Sequence, residues 1–408
     1  MRRCHGFKLL STALCLGLAL SGCQRPSSVS TSAALQVDRL SVLRAADETG
    51  FALAAAPHHF EFPQDHGPHP DFHHEWWYLT GQLQGASGEH FGFELTVFRL
   101  ALRPAAAATA GAASAAAQSA WRARQIYVGH FAITDVGRGR FFDATRYARE
   151  ALGLAGAAAD PFDVHVADWS VTQVAGPPAL HWQLQAADGD YQLQLTLQSA
   201  APPVLNGDGG LSRKADAVGA ASYYYSMPRL QADGRLTRAG QVLPVSGLAW
   251  LDREWGSGSL GANQQGWDWF ALNLSDGSTL MFYALRDQGG GRDPHSAGTF
   301  IDAQGHATAL ANRDVQIQVQ RRWSSPRGGQ YPAQWNLRVA SQALQLQVTP
   351  LLADQELATQ PRYWEGAVRV TGTRRGAPVQ AQGYVELVGY AQAHATASTP
   401  NATAPPTH

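Results

Sequence analysis

The stretch "EWWYLTGQLQGASGEHFGFELTVFRL", Glu75 to Leu100, decides the fold class. In its first half Glu75, Trp77, Leu79, Gly81 and Leu83 fall on one face, and Trp76, Tyr78 and Thr80 on the other. In its second half Phe91, Phe93, Leu95 and Val97 alternate with Gly92, Glu94, Thr96 and Phe98. A period of two is the mark of a pleated strand. The same period recurs in "YQLQLTLQSA", where Leu193, Leu195 and Leu197 alternate with Gln192, Gln194 and Thr196, and near Val315 and Leu344. Alternation with one polar face predicts antiparallel strands solvated on that face. Glycine-rich turns, with Asp276-Gly277 as a hairpin candidate, and scarce helical periodicity predict an all-β chain of barrels or sandwiches.

The 408 residues predict two domains, with a boundary near residue 245 where "VSGLAWLDREWGSG" opens a new strand series. The domains are then 57–244 and 245–391. An Ala-rich insertion is read at 101–120, and a polar tail, disordered in character, at 392–408. A charged fraction of 15% and a net charge of −1 imply no surface for nucleic acid. The opening "MRRCHGFKLLSTALCLGLALSGC" has a basic start, an apolar run and small residues before Cys23. This is the layout of a secretory signal peptide over 1–23. It resembles a bacterial lipobox, which makes Cys23 the lipidated residue and 24–56 a tether. Gln24 after the cysteine favours an outer-membrane anchor facing the periplasm.

Three clusters carry candidate chemistry. The histidines around "HPDFHHEWW" lack the spacing of a helical zinc motif, so the segment is read as the entrance strand of the first domain, with Glu75 and His74 at a polar rim and no metal. Glu75 shares a face with Trp77 and Leu79, so it must be ion-paired, protonated or at the rim. "WLDREWGSG" places Asp252 and Glu254 opposite Arg253 and Trp255, while "GWDWF" sets Asp268 between Trp267 and Trp269. An acid beside aromatic faces is either a proton donor near cation-stabilising rings or part of inter-domain packing. "SYYYSMPRL" puts Tyr223 and Tyr225 opposite Tyr224 and Ser226, with Arg229 as a clamp for one of the acids. Long loops inside compact domains are usually functional or disordered, and the aromatic triplet that ends the one from Asn206 argues for an ordered loop. No cofactor is implied.

Together "FPQDHGPHPDFHHEWWYLTGQL", "GDGGLSRK", "ASYYYSMPRL", "LDREWGSG", "QGWDWFALNLSDGSTLMFYALR" and "GYVELVGY" resemble the carotenoid 1,2-hydratase (hydroxyneurosporene synthase)-like bacterial proteins. The resemblance spans Pro57 to Tyr390 and is nearest to that family's lipoprotein branch. It implies two lipocalin-like antiparallel barrels in tandem. Its hydratases add water to a terminal double bond of a carotenoid, and some lipoprotein members are thought to work beside membrane export permeases.

Three readings follow. The first is an anchored envelope protein holding a long apolar ligand, a lipid or isoprenoid, in its barrels. Its binding residues would be Trp76, Trp77, Tyr78, Tyr223, Tyr224, Tyr225, Arg229, Trp255, Trp267 and Trp269. The second is a hydratase with Asp268 or Asp252 as acid, Trp267, Trp269 and Tyr224 as cation stabilisers, and Glu75 or His74 orienting water. The third is an accessory lipoprotein of an export permease.

Overall fold

The structure, a computed structural model, describes residues 48–104, 123–176, 180–258, 260–359 and 362–391. The signal peptide with Cys23, most of the tether, residues 105–120 of the insertion and the tail lie outside the described residues.

The chain forms two curled antiparallel sheets. The first contains β1 His74–Gly85, β2 His90–Ala101, β3 Gln125–Asp135, β4 Arg140–Arg149, β5 Ala155–Ala159, β6 Phe162–Val166 and β7 Trp169–Gln173. It continues with β8 Leu180–Asp188, β9 Tyr191–Ser199, β10 Val204–Leu205, β11 Leu211–Arg213, β12 Ala221–Arg238 and β13 Gln241–Gly256. The second contains β14 Gln264–Leu274, β15 Thr279–Asp287, β16 Ala297–Ile301, β17 Ala307–Ala311 and β18 Val315–Ser324. It is completed by β19 Gln330–Val339, β20 Leu344–Pro350, β21 Glu356–Leu357, β22 Tyr363–Arg374 and β23 Ala377–Leu387.

Both sheets follow one plan. The first strand lies between the second strand and the last, β2-β1-β13 in one and β15-β14-β23 in the other. The first sheet therefore runs on to Gly256, and the expected boundary at 245 falls inside β13, where Val245 pairs with both Gly85 and Gly234. The aromatic run in β13 reads as a new series because that strand closes the first sheet with one face in its core and the other toward the second sheet. The Asp276-Gly277 hairpin is present between β14 and β15, with Gly277 at φ +88°.

Each sheet curls around a filled interior, as two lipocalin-like barrels do. Trp77, Leu79, Phe93, Leu95, Phe131, Trp169 and Leu251 are buried in the first, and Phe270, Phe282, Trp335, Leu346 and Val385 in the second. Each such side chain contributes roughly 1.5–3 kcal/mol on leaving water. The expected polar outer face is present on β8 and β9, but not on β1 and β2. There Tyr78, Thr80, Gln82, Glu94 and Thr96 are buried, because the outer face of the first barrel docks on the second. Gln82 donates to the carbonyls of Val368 and Gly383, both at 2.8 Å. Gly92 permits the approach, since a Cβ there would lie 2.6 Å from Ala367 Cβ.

Candidate active site between the barrels

The strand registers build the site. Directly opposed residues on antiparallel neighbours share a face. One row is Tyr78, Asp252 and Ser226 on β1, β13 and β12; the next is Trp76, Glu254 and Tyr224. Apart from Ser226, these rows form one wall of a cleft with about 740 Å³ of space, part of it open to solvent. His74 and Ser222 extend that wall, and Lys214 reaches it from the loop before β12. The facing wall is Trp267 and Trp269 of β14, Tyr283 and Leu285 of β15, and Glu386 of β23.

Asp252 is 3% exposed. Its Oδ1 accepts from Trp250 Nε1 at 2.7 Å and Ser226 Oγ at 2.5 Å, and its Oδ2 accepts from the Tyr224 hydroxyl. All three donors are neutral. Burial therefore dominates and pushes the carboxyl up to about 7, against the pull of these hydrogen bonds, with Glu254 adding to the rise. Glu254 accepts from the Ser222 hydroxyl and is ion-paired to Lys214 Nζ at 3.1 Å. The ammonium also lies 4.0 Å from the Tyr283 ring centre and 5.3 Å from that of Tyr224. Trp267 Nε1 donates to Glu386 at 2.7 Å. Tyr78 turns its hydroxyl to Glu365 and gives the site only its ring, edge-on to Trp269 at 5.0 Å.

His74 lines the cleft, but burial, reinforced by His73 and Arg99, pushes its imidazole down to about 3, so it is neutral near pH 7. It can accept a hydrogen bond from water there, but it is no acid.

Glu75 is elsewhere. It faces the interior of the first barrel, fully buried rather than at a rim, and bonds to Arg99, Arg253 and His69. Burial alone would push it up; Arg99 and Arg253, then His69, hold it well below the usual carboxylate range. The paired reading is thus the one realised, and Glu75 cannot serve as a general acid. The neighbouring histidines join this interior network. His69 stacks on Trp255 at 3.8 Å and bonds to Asp65 at 3.0 Å, while His66 bonds to the Tyr225 hydroxyl at 2.6 Å.

Asp268 also leaves the cleft. Trp267 and Trp269 face the cleft, so strand alternation turns Asp268 into the second barrel, where it accepts from Arg286 at 3.1 Å and Tyr390 at 2.8 Å. Trp77, Tyr223, Tyr225 and Trp255 are core residues of the first barrel. Arg229 does not clamp an acid: it sits at the bulge between Met227 and Leu230, with φ +59°, and donates to the carbonyl of Leu274 at 3.1 Å. Pro228 has no N–H for the ladder, which fits a bulge there. The site thus unites Asp252, His74, Trp76, Tyr78, Tyr224, Trp267 and Trp269. Sequence reading missed Lys214, Ser222, Glu254, Tyr283 and Glu386 as site residues. For Glu254 the signal was available, two positions from Asp252 on the same strand face.

This tandem arrangement matches a known family. A model of AttH-like proteins aligns with residues 53–390. The chain belongs to the AttH-like family. An AttH protein of Nitrosomonas europaea is 35% identical, with a TM-score of 0.72 over 83% of this chain and all of that one. Kievitone hydratase of Nectria haematococca has the same fold at 16% identity, with a TM-score of 0.62 over 84% of this chain and 96% of its own. The dehydratase asqC of Emericella nidulans is 22% identical over 218 residues, 50% of this chain and 60% of the relative. The chain thus spans about 60% of that relative's length. Membership in the AttH-like family is consistent with the resemblance to carotenoid 1,2-hydratase-like proteins.

Proposed function

We propose that this AttH-like protein is a hydratase-type enzyme that adds water to, or removes it from, a neutral and largely apolar alkene in the cleft between its barrels. The observation that carries this reading is Asp252, a buried carboxyl with only neutral donors, set in an aromatic-lined cleft. Near neutrality such a carboxyl is half protonated, which suits a general acid. Protonation of an alkene leaves a carbocation, and the faces of Trp76, Trp267 and Trp269 offer it attraction of about 0.5–2 kcal/mol each. Glu254 shares the wall with Asp252 and takes the proton of the attacking water; elimination of water reverses each step. The hydratase and dehydratase among the relatives support this class of reaction. An isoprenoid is the substrate class we favour, and anchoring at Cys23 belongs to the same proposal.

The test is a screen of isoprenoid alkenes, geraniol first, in ¹⁸O-labelled water, with product followed by mass spectrometry. Wild-type protein incorporates the label, and Asp252→Asn lowers the rate by about 10²- to 10⁴-fold. Equal rates for the two proteins would remove Asp252 from the reaction.

A second reading keeps the cleft but not the chemistry. Leu260, Leu285 and the tryptophans give it an apolar lining that suits a stored lipid or isoprenoid. A lipid retained through purification, seen by native mass spectrometry, with no label uptake from any alkene, favours storage.

A further inference from the structure

The hydrogen-bond directions around Asp252 distinguish its two oxygens. Oδ1 receives the Trp250 indole N–H, which cannot invert because an indole nitrogen only donates. Oδ1 also receives the Ser226 hydroxyl. Ser226 Oγ in turn accepts from Asn206 Nδ2 at 2.8 Å, and Asn206 Oδ1 accepts from Thr299 at 2.7 Å. Thr299 stands on β16, so this chain of bonds reaches into the second barrel. Oδ2 receives only the Tyr224 hydroxyl. Tyr224 Oη already accepts from Trp269 Nε1 at 3.2 Å, so its own hydrogen points at Asp252 when the carboxyl is charged.

Protonation changes one link of this network. On Oδ1 the new O–H would face the Trp250 N–H, which cannot invert, and the hydroxyl of Ser226, which lies outside the cleft lining and so cannot turn its hydrogen into that space. On Oδ2 it meets the Tyr224 oxygen, an acceptor whose hydrogen can rotate away. A buried O–H needs such an acceptor. The displaced tyrosyl hydrogen then turns into the cleft that Tyr224 lines.

We propose, building on the hydratase reading above, that Tyr224 is the catalytic residue that hands the proton to the alkene, and that Asp252 acts by refilling Tyr224. The alkene π pair forms the new C–H bond as the Tyr224 O–H bond breaks. In the same step the Asp252 Oδ2–H bond breaks and its proton restores the tyrosyl O–H, which leaves a carboxylate. A lone pair of water closes the C–O bond at the cation, and the surplus proton passes to Glu254, then through solvent in the cleft back to Asp252. The phenol is a poor acid by itself, since burial and then Asp252 and Glu254 hold it well above its ordinary value. It gives up its proton only as another arrives. Lys214, 5.3 Å from the ring centre, steadies the negative charge that builds on the ring in passing.

Proton positions test this without a substrate. Neutron diffraction from deuterium-exchanged crystals of the intact protein, at about pD 5 and about pD 9, brackets the carboxyl's midpoint of about 7. Expected at the lower value is a deuteron on Oδ2 aimed at Tyr224 Oη, with the tyrosyl deuteron turned into the cleft. At the higher value the tyrosyl deuteron points to Oδ2. A deuteron on Oδ1, or one on Oδ2 aimed into the cleft with Tyr224 still donating to Asp252, overturns the relay and leaves Asp252 as direct donor. No deuteron on either oxygen at the lower value overturns the relay together with the acid role of Asp252.

Discussion

Glu75 and Asp252 stand on neighbouring strands, three register positions apart, and both are buried carboxyls. One points into the first barrel and the other out of it. Inside, Glu75 meets two arginines that were buried with it, so its charge is compensated. Outside, Asp252 meets an indole, a serine and a tyrosine, all neutral. Burial penalises charge in both cases; the partners decide the outcome. The first carboxyl is fixed as an anion and holds the barrel together. The second is free to gain and lose a proton near pH 7, which is what acid catalysis needs.

Four experiments press on this contrast, from the largest effect to the smallest. Asp252→Asn is expected to cost the ¹⁸O-incorporation rate about 10²- to 10⁴-fold in protein that still folds. Glu75→Gln should do the opposite. It strands Arg99 and Arg253 without their anion, and breaking a buried pair costs about 3–5 kcal/mol. Denaturant unfolding would record that loss, whereas turnover per folded molecule should stay near wild type. If Glu75→Gln instead abolished turnover in well-folded protein, the division between the two carboxyls would collapse.

The pH response separates them next. For Asp252 the native value, about 7, lies above the unfolded one, so the native state holds a proton that the unfolded chain has released. Its stabilising contribution is complete below the unfolded value and is lost as pH rises to about 7. The loss amounts to about 4 kcal/mol at most, at 1.36 kcal/mol per unit. Glu75 has the reverse sign: its contribution is complete above the ordinary carboxylate range and is lost as pH falls through its depressed native value. Unfolding free energies across pH, compared between wild type and Asp252→Asn, should show the neutral-side slope flattened in the variant. The rate in the hydration direction should fall above pH of about 7, as the acid form is lost. The smallest effect is expected from Asp268→Asn. Asp268 lies in the second barrel with Arg286 and Tyr390, so turnover should be unchanged and the stability loss about 1–3 kcal/mol. A large loss of turnover in a folded Asp268→Asn protein would return Asp268 to the list of catalytic acids.

The sequence by itself determined which side chains share a face. Trp77 with Leu79, Tyr78 with Thr80, Asp252 with Glu254 and Tyr224 with Ser226 were all legible, because the period of two belongs to the pleat of a single strand. The hairpin at Asp276-Gly277 was legible for the same local reason, a turn that requires positive φ. What each face would meet was not. Trp267 and Trp269 look like an acid's companions in the sequence, yet alternation sends them to the cleft and Asp268 into a barrel. Glu75 acquires Arg99 from the next strand and Arg253 from a strand 178 residues away. Lys214 reaches Glu254 from the long loop before β12, and the Asp252 network runs on through Asn206 to Thr299 in the other barrel. Only tertiary structure decided these, because a carboxyl's charge depends on solvent exclusion and on partners that docking, not neighbouring sequence, brings within hydrogen-bond range.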